Sequence, residues 1–531
     1  MQAADGYGAA RKDLVIAAAL FVGALLLRVF DLGGSSLWVD EAASATFARA
    51  PWSDLWGQLA RLETNPPGYY SVVKAWISVF GVSDVSLRMP SAIASALCVI
   101  PIYYFALREY GRGAAILAAS LVALSAIQVQ YGQEARSFAM ISLFFVTSLY
   151  FAGRIGAAYE RERFEWKPLA GLVLAGSALP FMHYTGYLAL AVVFVYLFTF
   201  LWLKNAITLA VLRDLFLTGM AILLLTAPVL SWISLQMGAA DSPVGWIPRP
   251  SVSDGLRIYR SAFGHDHLRL TGGESQTMLR RLASRGAGDG VLLLACVIGL
   301  FQGIRMRQWS VVALCVSFAF LVISFFLISQ VTPVLLVRVV VFGACIVFLL
   351  AAFALTSIRL GRAMLIPILI VVGFQGLNLV QYIRHFDKEP WRDMVEAASE
   401  RYVPGTAMIS ISGALTIPAL LDLYGSEGGP DALYAVVMTP EDLQRAIIDL
   451  EPWITEIDVH FDCSELQGWS SIMVVSRYAG RPLLHEFGGR LRKAGSSLLE
   501  EQLFRSIALQ HWSPPSCDGQ EPYWRSSPVS Q

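Results

Sequence analysis

Charge is what this chain has least of: 15% of its 531 residues are Asp, Glu, Lys or Arg, where a soluble globular protein carries roughly 25%. With 56% hydrophobic residues and a mean hydropathy of +0.56, that scarcity excludes an ordinary soluble protein. Forty basic and forty acidic residues cancel, so no surplus charge points to a nucleic-acid partner. The chain also lacks a block of like charge, a low-complexity tail and any evident internal repeat. Its six cysteines show no zinc-type spacing; four lie in apolar segments, and only Cys463 and Cys517 fall in a water-like C-terminal stretch. The first apolar run, 14–29, contains Arg28 and is followed by no small-residue cleavage site. It therefore reads as a retained helix, not a signal peptide.

What the chain has in abundance is long apolar runs. A spanning helix needs about 20 predominantly apolar residues. Candidates are 14–31, 88–107, 112–128, 137–153, 168–183, 185–203, 211–235, 289–304, 309–329, 333–356 and 363–382. The expected fold class is a polytopic α-helical membrane protein with about 11 transmembrane helices, or up to about 13, and a C-terminal soluble α/β domain. The domains are 1–383, transmembrane, and 384–531, external.

Basic residues gather in alternate connections: Arg11 and Lys12; Arg108 and Arg112; Arg154, Arg161, Arg163 and Lys167; Lys204 and Arg213; Arg305 and Arg307; Arg359 and Arg362. Such connections mark the cytoplasmic side. The short intervening connections at 129–136, around 184 and at 330–332 hold a single basic residue, Arg136. The expectation is a multi-pass plasma (inner) membrane protein with a cytoplasmic N-terminus and a periplasmic or extracellular tail. Counting the short apolar run 66–80 as a span would invert every later loop, so it is assigned as a juxtamembrane or re-entrant helix within a first external loop, 32–87. A second external loop, 236–288, carries Pro243, Pro248 and Pro250 and reads as mobile.

In the tail, 406–412, 434–438, 456–461 and 471–476 read as strands, while 391–402, 415–424 and 440–450 have helical spacing. Alternation of the two predicts a largely parallel sheet. No glycine-rich loop opens a helix there, which argues against a nucleotide site.

Several polar features map to the external face. Asp40 and Glu41, in Trp38-Val39-Asp40-Glu41, point different ways from a helix; they are either a reactive carboxylate with its structural neighbour or a charge pair favoured by a helix N-terminus. Glu134 and Arg136, in Gln130-Tyr131-Gly132-Gln133-Glu134-Ala135-Arg136, form a structural ion pair or present Arg136 to a phosphate. Arg338 either snorkels to the headgroups or captures an anionic lipid group. His183-Tyr184 is an interfacial packing pair or part of a site. In Asn65-Pro66-Pro67-Gly68-Tyr69-Tyr70 the prolines suit a first helical turn, and the tyrosines are an interface belt or, with Asn65, substrate contacts. Together these features argue for a site that handles a phosphate-bearing lipid where membrane meets water.

The order W-x-D-E, N-P-P-G-Y-Y, R-M-P-S-A, Y-G-Q-E-A-R-S-F-A and a late arginine helix, over about 14–381, resembles the GT-C membrane glycosyltransferases. Among these it is most similar to the bacterial relatives of protein O-mannosyltransferases and of the lipid A aminoarabinose transferase, in the manner of glycosyltransferase family 39. Lys388-Glu389-Pro390-Trp391-Arg392 resembles a K-E-x-W-R stretch of the bacterial branch. The resemblance implies inverting transfer of a sugar from a polyprenyl-phosphate donor to a glycan, lipid or protein acceptor at the external face. Asp40 matches the family's catalytic acid and Glu41 its neighbour, whereas Asn65 stands where the family has His or Lys.

Inverting transfer needs a base for the acceptor hydroxyl, assigned to Asp40, with Glu41 orienting the acceptor or holding a local network. It also needs cations for the departing phosphate, assigned to Arg338 and Arg136 with Glu134. Oligosaccharyltransferase relatives use a divalent metal, but external acids are few here, so metal independence and no cofactor are expected. The competing readings are a lipid-linked sugar flippase or transporter and a surface-polysaccharide polymerase or ligase.

Overall fold

The computed structural model describes residues 2–57, 65–237, 247–267, 278–358, 361–386, 388–411, 420–421, 423–425, 432–435, 457–458, 466–477, 481–505 and 507–517. The chain divides into two compact units. One comprises Met1–Phe30, Glu63–Val73 and Arg88–Phe386; the other comprises Asp31–Leu62, Lys74–Leu87 and Asp387–Gln531. The second unit thus joins most of 32–87 to the tail.

The first unit is a bundle of apolar helices. Among the described residues seven helices are long and apolar enough to cross a membrane, or up to nine if each of two bent pairs is one span. The other two segments expected to span are helical too, but Gln2–Val29 carries Arg11, Lys12, Asp13 and Arg28, and Trp166–Met182 has only 17 residues. Val337–Ser357 is the central helix, with 94% of its apolar window buried, whereas Arg285–Arg305 and Leu365–His385, at 28% each, line the rim. The run at 66–80 forms the 13-residue helix Gly68–Phe80. At about 1.5 Å per residue it is too short for a hydrocarbon core about 30 Å thick.

One bend decides how the site is built. Arg112–Leu124 and Ala126–Gly132 meet at 56°, and Arg28 sits against the break, fully buried. Its guanidinium donates to the carbonyls of Ala123 (2.6 Å) and Val122 (3.0 Å), to Ala24 O (3.2 Å) and to Ser95 Oγ (3.0 Å). Arginine suits this position because its forked donors can satisfy several buried acceptors at once. Gly132, at the far end of the second segment, packs closely on the same arginine: a Cβ there would lie 2.8 Å from Ser95 Cβ and 3.0 Å from Arg28 Cγ. The segment after the bend packs through Ala126 and Val129 against Leu379 and Tyr382.

The second loop, 236–288, is helical over part of its described residues. Val252–Phe263 is a helix, capped by Ser251 Oγ accepting from Asp254 N (3.2 Å) while Asp254 Oδ2 accepts from Ser251 N (3.1 Å). Reciprocal capping of this kind offsets the prolines that precede it.

Among the described residues of the second unit six strands form one sheet in the order β3-β2-β1-β4-β6-β5: β1 Thr406–Ser410, β2 Ala432–Ala435, β3 Ile457–Asp458, β4 Ser471–Arg477, β5 Leu498–Phe504 and β6 Ile507–Trp512. The first four are parallel, with Met408 opposite Leu433 and Met473. An antiparallel hairpin of β5 and β6 extends the sheet beside β4, so the sheet is mixed. Every residue of β1 is buried, as expected for a central strand covered on both faces. Ile409, Ile472, Val474, Phe487, Leu491 and Trp512 make its core. Of the expected helices, 391–402 appears as Trp391–Ser399; 440–450 and most of 415–424 lie outside the described residues. Arg481–Lys493 is an additional helix.

Candidate active site

In the helical unit, the bend at Ser125 directs 128–136 across one end of the bundle, and the three glutamines there are tied down. Gln128 Nε2 donates to Val341 O (3.1 Å), where the central helix tightens into a short 3-10 turn. Gln133 Nε2 donates to the carbonyls of Arg28 (3.2 Å) and Phe30 (2.8 Å), while its Oε1 accepts from Tyr382 OH (2.8 Å). Gln130 Oε1 accepts from His267 Nε2 (2.9 Å), and Gln130 Nε2 reaches Glu134 Oε1 at 3.5 Å.

This scaffold presents Glu134 (4% exposed) and Arg136 (9% exposed). The Arg136 carbonyl accepts from Ser91 Oγ (3.0 Å), which in turn contacts Tyr69 OH (3.1 Å). Tyr69 and Tyr70 are interior residues, each 2% exposed, with rings edge to face, and Asn65 is also buried. An interface belt is therefore not what these tyrosines form. Gly68 permits the close approach: a Cβ on it would come within 2.4 Å of Phe181 O.

Arg338 is half-buried, its guanidinium 5.9 Å from the Phe138 ring centroid. Phe138 packs at 5.8 Å against His183 and at 5.6 Å against Tyr131. Both Arg136 and Arg338 lie within electrostatic reach of His183, and Glu134, Arg338 and Asp266 within reach of Tyr131. The Thr185 N–H donates to His183 Nδ1 (3.2 Å), which leaves the proton of the neutral ring on Nε2. Tyr184 is half-buried beside it. Two arginines, a carboxylate and a histidine thus share one end of an apolar bundle, beside the N-terminus of Phe138–Glu160. Cations and a positive helix end in low dielectric favour an anion.

Asp266 and His267 were missed in the sequence, because their loop reads only as irregular. His267 is clamped between its bond to Gln130 and the rings of Tyr382 (5.1 Å) and Phe386 (5.6 Å). Gly264-His265-Asp266-His267 is a local signal that could have drawn notice.

The carboxylate pair lies in the second unit. Asp40 and Glu41 occupy the first turn of Val39–Arg49. Glu41 is fully buried; its Oε2 accepts from Lys388 Nζ (2.9 Å) and from the Trp38 N–H (3.3 Å). Asp40 is half-buried. The two neighbours therefore differ: one carboxylate caps the helix and closes an ion pair, while the other sits nearer water. Among the described residues no group of three or more His, Cys, Asp or Glu side chains could hold a metal ion.

Residues 64–232 match the family described as dolichyl-phosphate-mannose-protein mannosyltransferase. No curated protein sequence gives a significant match. Among solved structures, ArnT from Cupriavidus metallidurans in the apo state superposes with a TM-score of 0.59 at 12% identity, covering 95% of this chain and 98% of that one. The same protein bound to undecaprenyl phosphate gives 0.58 at 13%, covering 93% and 97%. The archaeal oligosaccharyltransferase AglB from Archaeoglobus fulgidus, in complex with an inhibitory peptide and a dolichol-phosphate, gives 0.51 at 12%, covering 88% and 70%. At these identities the likeness is one of fold. In its fold, and in the stretch that matches the mannosyltransferase family, the chain resembles the GT-C superfamily of membrane glycosyltransferases related to ArnT.

Proposed function

We infer that the protein transfers a sugar from a polyprenyl-phosphate donor to an acceptor hydroxyl at the external face of the membrane, with inversion at the anomeric carbon. The observation that carries this reading is that Arg338 lies over Phe138, which packs against His183, with Arg136 in electrostatic reach of the same histidine. An anionic headgroup with an apolar tail suits such a place, and ArnT, of like fold, has been solved with undecaprenyl phosphate bound.

In this mechanism Asp40 takes the proton of the acceptor hydroxyl. The acceptor oxygen bonds to the anomeric carbon as the bond from that carbon to the phosphate oxygen breaks, and the electron pair leaves on polyprenyl phosphate. Arg338 and Arg136 stabilise the charge that develops there, the contribution that fixed cations make best when water is excluded. Glu41, engaged with Lys388, holds the turn that carries Asp40. An external tail is supported by the alternation of basic connections and by Cys517, which is disulfide-bonded and so suits an oxidising compartment. Cys463 lies outside the described residues.

The test is incubation of the purified protein with a polyprenyl-phosphate monosaccharide and a membrane extract as acceptor source. Release of polyprenyl phosphate with the sugar in a new linkage is expected. Translocation of an intact donor without cleavage would instead identify a flippase.

A further inference from the structure

The stretch 388–392 grips residues 33–41 at successive points. Lys388 pairs with Glu41 at 2.9 Å, their side chains 6% and 0% exposed. The Glu389 carbonyl accepts from Ser36 Oγ (2.7 Å), which accepts from the Trp391 N–H (3.1 Å). Arg392 donates to Gly33 O (3.2 Å). Tyr424 OH accepts from the Leu37 N–H (2.8 Å) and donates to Asp84 Oδ1 (2.8 Å). From the sheet, Arg477 at the end of β4 donates through Nε to Glu389 Oε1 (2.9 Å), and Trp391 is fully buried. A continuous set of bonds therefore runs from β4 through 388–392 to the turn that bears Asp40.

We propose that Lys388 is a positioning residue for transfer: its ion pair with Glu41 fixes the first turn of Val39–Arg49 and so aims the carboxylate of Asp40. Glu41 is shielded from solvent, and removing the cation paired with a buried carboxylate favours uptake of a proton or a pull of its turn toward solvent. Either change acts on the adjoining residue, and a misplacement of about 1 Å in a reacting group can cost about 10²-fold in rate. Among the bonds given above, the one from Lys388 ends on the side chain next to Asp40, whereas those from the rest of 388–392 go to Gly33, Ser36 and Arg477.

The proposal rests on Asp40 being the general base, and the experiment separates the two. Steady-state transfer is measured for Lys388→Met, Lys388→Arg, the double variant Glu41→Gln/Lys388→Met and Asp40→Asn, with hydrogen–deuterium exchange on each. Lys388→Met should lower kcat by about 10–100-fold with donor KM within about twofold, and should deprotect residues 39–44 but not β1 or β4. Lys388→Arg should restore most of the turnover. The double variant, with no buried charge left alone, should turn over at least as fast as Lys388→Met. Normal turnover in Lys388→Met, unchanged exchange at 39–44, exchange raised throughout the sheet, or failure of arginine to rescue would each overturn the positioning role. Normal turnover in Asp40→Asn would remove the base assignment instead, leaving the exchange data to judge the pairing itself.

Discussion

Replacing Arg338 separates phosphate capture from mere anchoring in the headgroups. Its guanidinium is half-buried, stacks at 5.9 Å on Phe138 and shares the neighbourhood of His183 with Arg136. A hydrogen bond to a charged group contributes roughly 1.5–3 kcal/mol net. At about 1.4 kcal/mol per tenfold change, Arg338→Ala should weaken polyprenyl-phosphate binding about 10–150-fold. Arg338→Lys should fall between, because lysine keeps the charge and loses the planar fork. Binding of polyprenyl phosphate and of the uncharged polyprenol would be followed by tryptophan fluorescence in detergent, and only the phosphate should be affected. If Arg136 holds the same phosphate, the double variant should depart from additivity by about 0.5 kcal/mol or more. Unchanged phosphate affinity in Arg338→Ala, or an equal loss for the polyprenol, would refute the assignment and make Arg338 a snorkelling residue.

Other outcomes follow from parts of the fold outside the proposed phosphate site. Arg28→Met strips charged donors from the carbonyls of Val122 and Ala123; at about 1–3 kcal/mol for each buried acceptor left unsatisfied, partly offset by relief from burying a guanidinium, it should lower the thermal midpoint in detergent, and an unaltered midpoint would show that the bend at Ser125 does not depend on it. Cys517 should appear in a cross-linked peptide when protein alkylated in cells is digested without reduction; a free thiol there would count against an external tail. Burial holds His511 below the usual histidine pKa, against the opposing pull of Glu500. The neutral ring thus stabilises the fold fully above the unfolded value of about 6.5, and this contribution is lost as pH falls through the lower folded value. The midpoint of His511→Gln should accordingly drop less between pH 7.5 and 5 than that of the parent, and equal drops would contradict the linkage.

The apolar runs and the tail's first strands are legible in the sequence because each is a local pattern: length and hydropathy for the helices, β-branched clusters for 406–412 and 471–476. The β5–β6 hairpin is not, for two physical reasons. Leu498–Phe504 reads LLEEQLF, with its charges adjacent instead of alternating, and the turn uses Arg505 at φ 46 where glycine or asparagine would have signalled it. The site divides along the same line. The segments holding Asp40, Arg136, His183 and Arg338 stand out as polar residues at the ends of apolar runs. What distinguishes Asp40 from Glu41 is Lys388, 347 residues away, and what shapes 128–136 is Arg28, about a hundred residues before it, whose partners Val122 and Ala123 exist as acceptors only because the helix bends. Tyr69 and Tyr70 mislead in the opposite direction, since aromatic residues near a membrane boundary suggest an interface and here lie inside.

The central claim is that Asp40 is the base for sugar transfer. Its most direct test is turnover of Asp40→Asn at saturating donor and acceptor, with donor binding measured on the same preparation. Asparagine keeps the shape and removes the proton acceptor, so binding should stay at the parent's level while turnover falls by about 10² or more. Near-normal turnover would contradict the account, and an inactive Glu41→Gln beside an active Asp40→Asn would assign the chemistry to the neighbouring carboxylate.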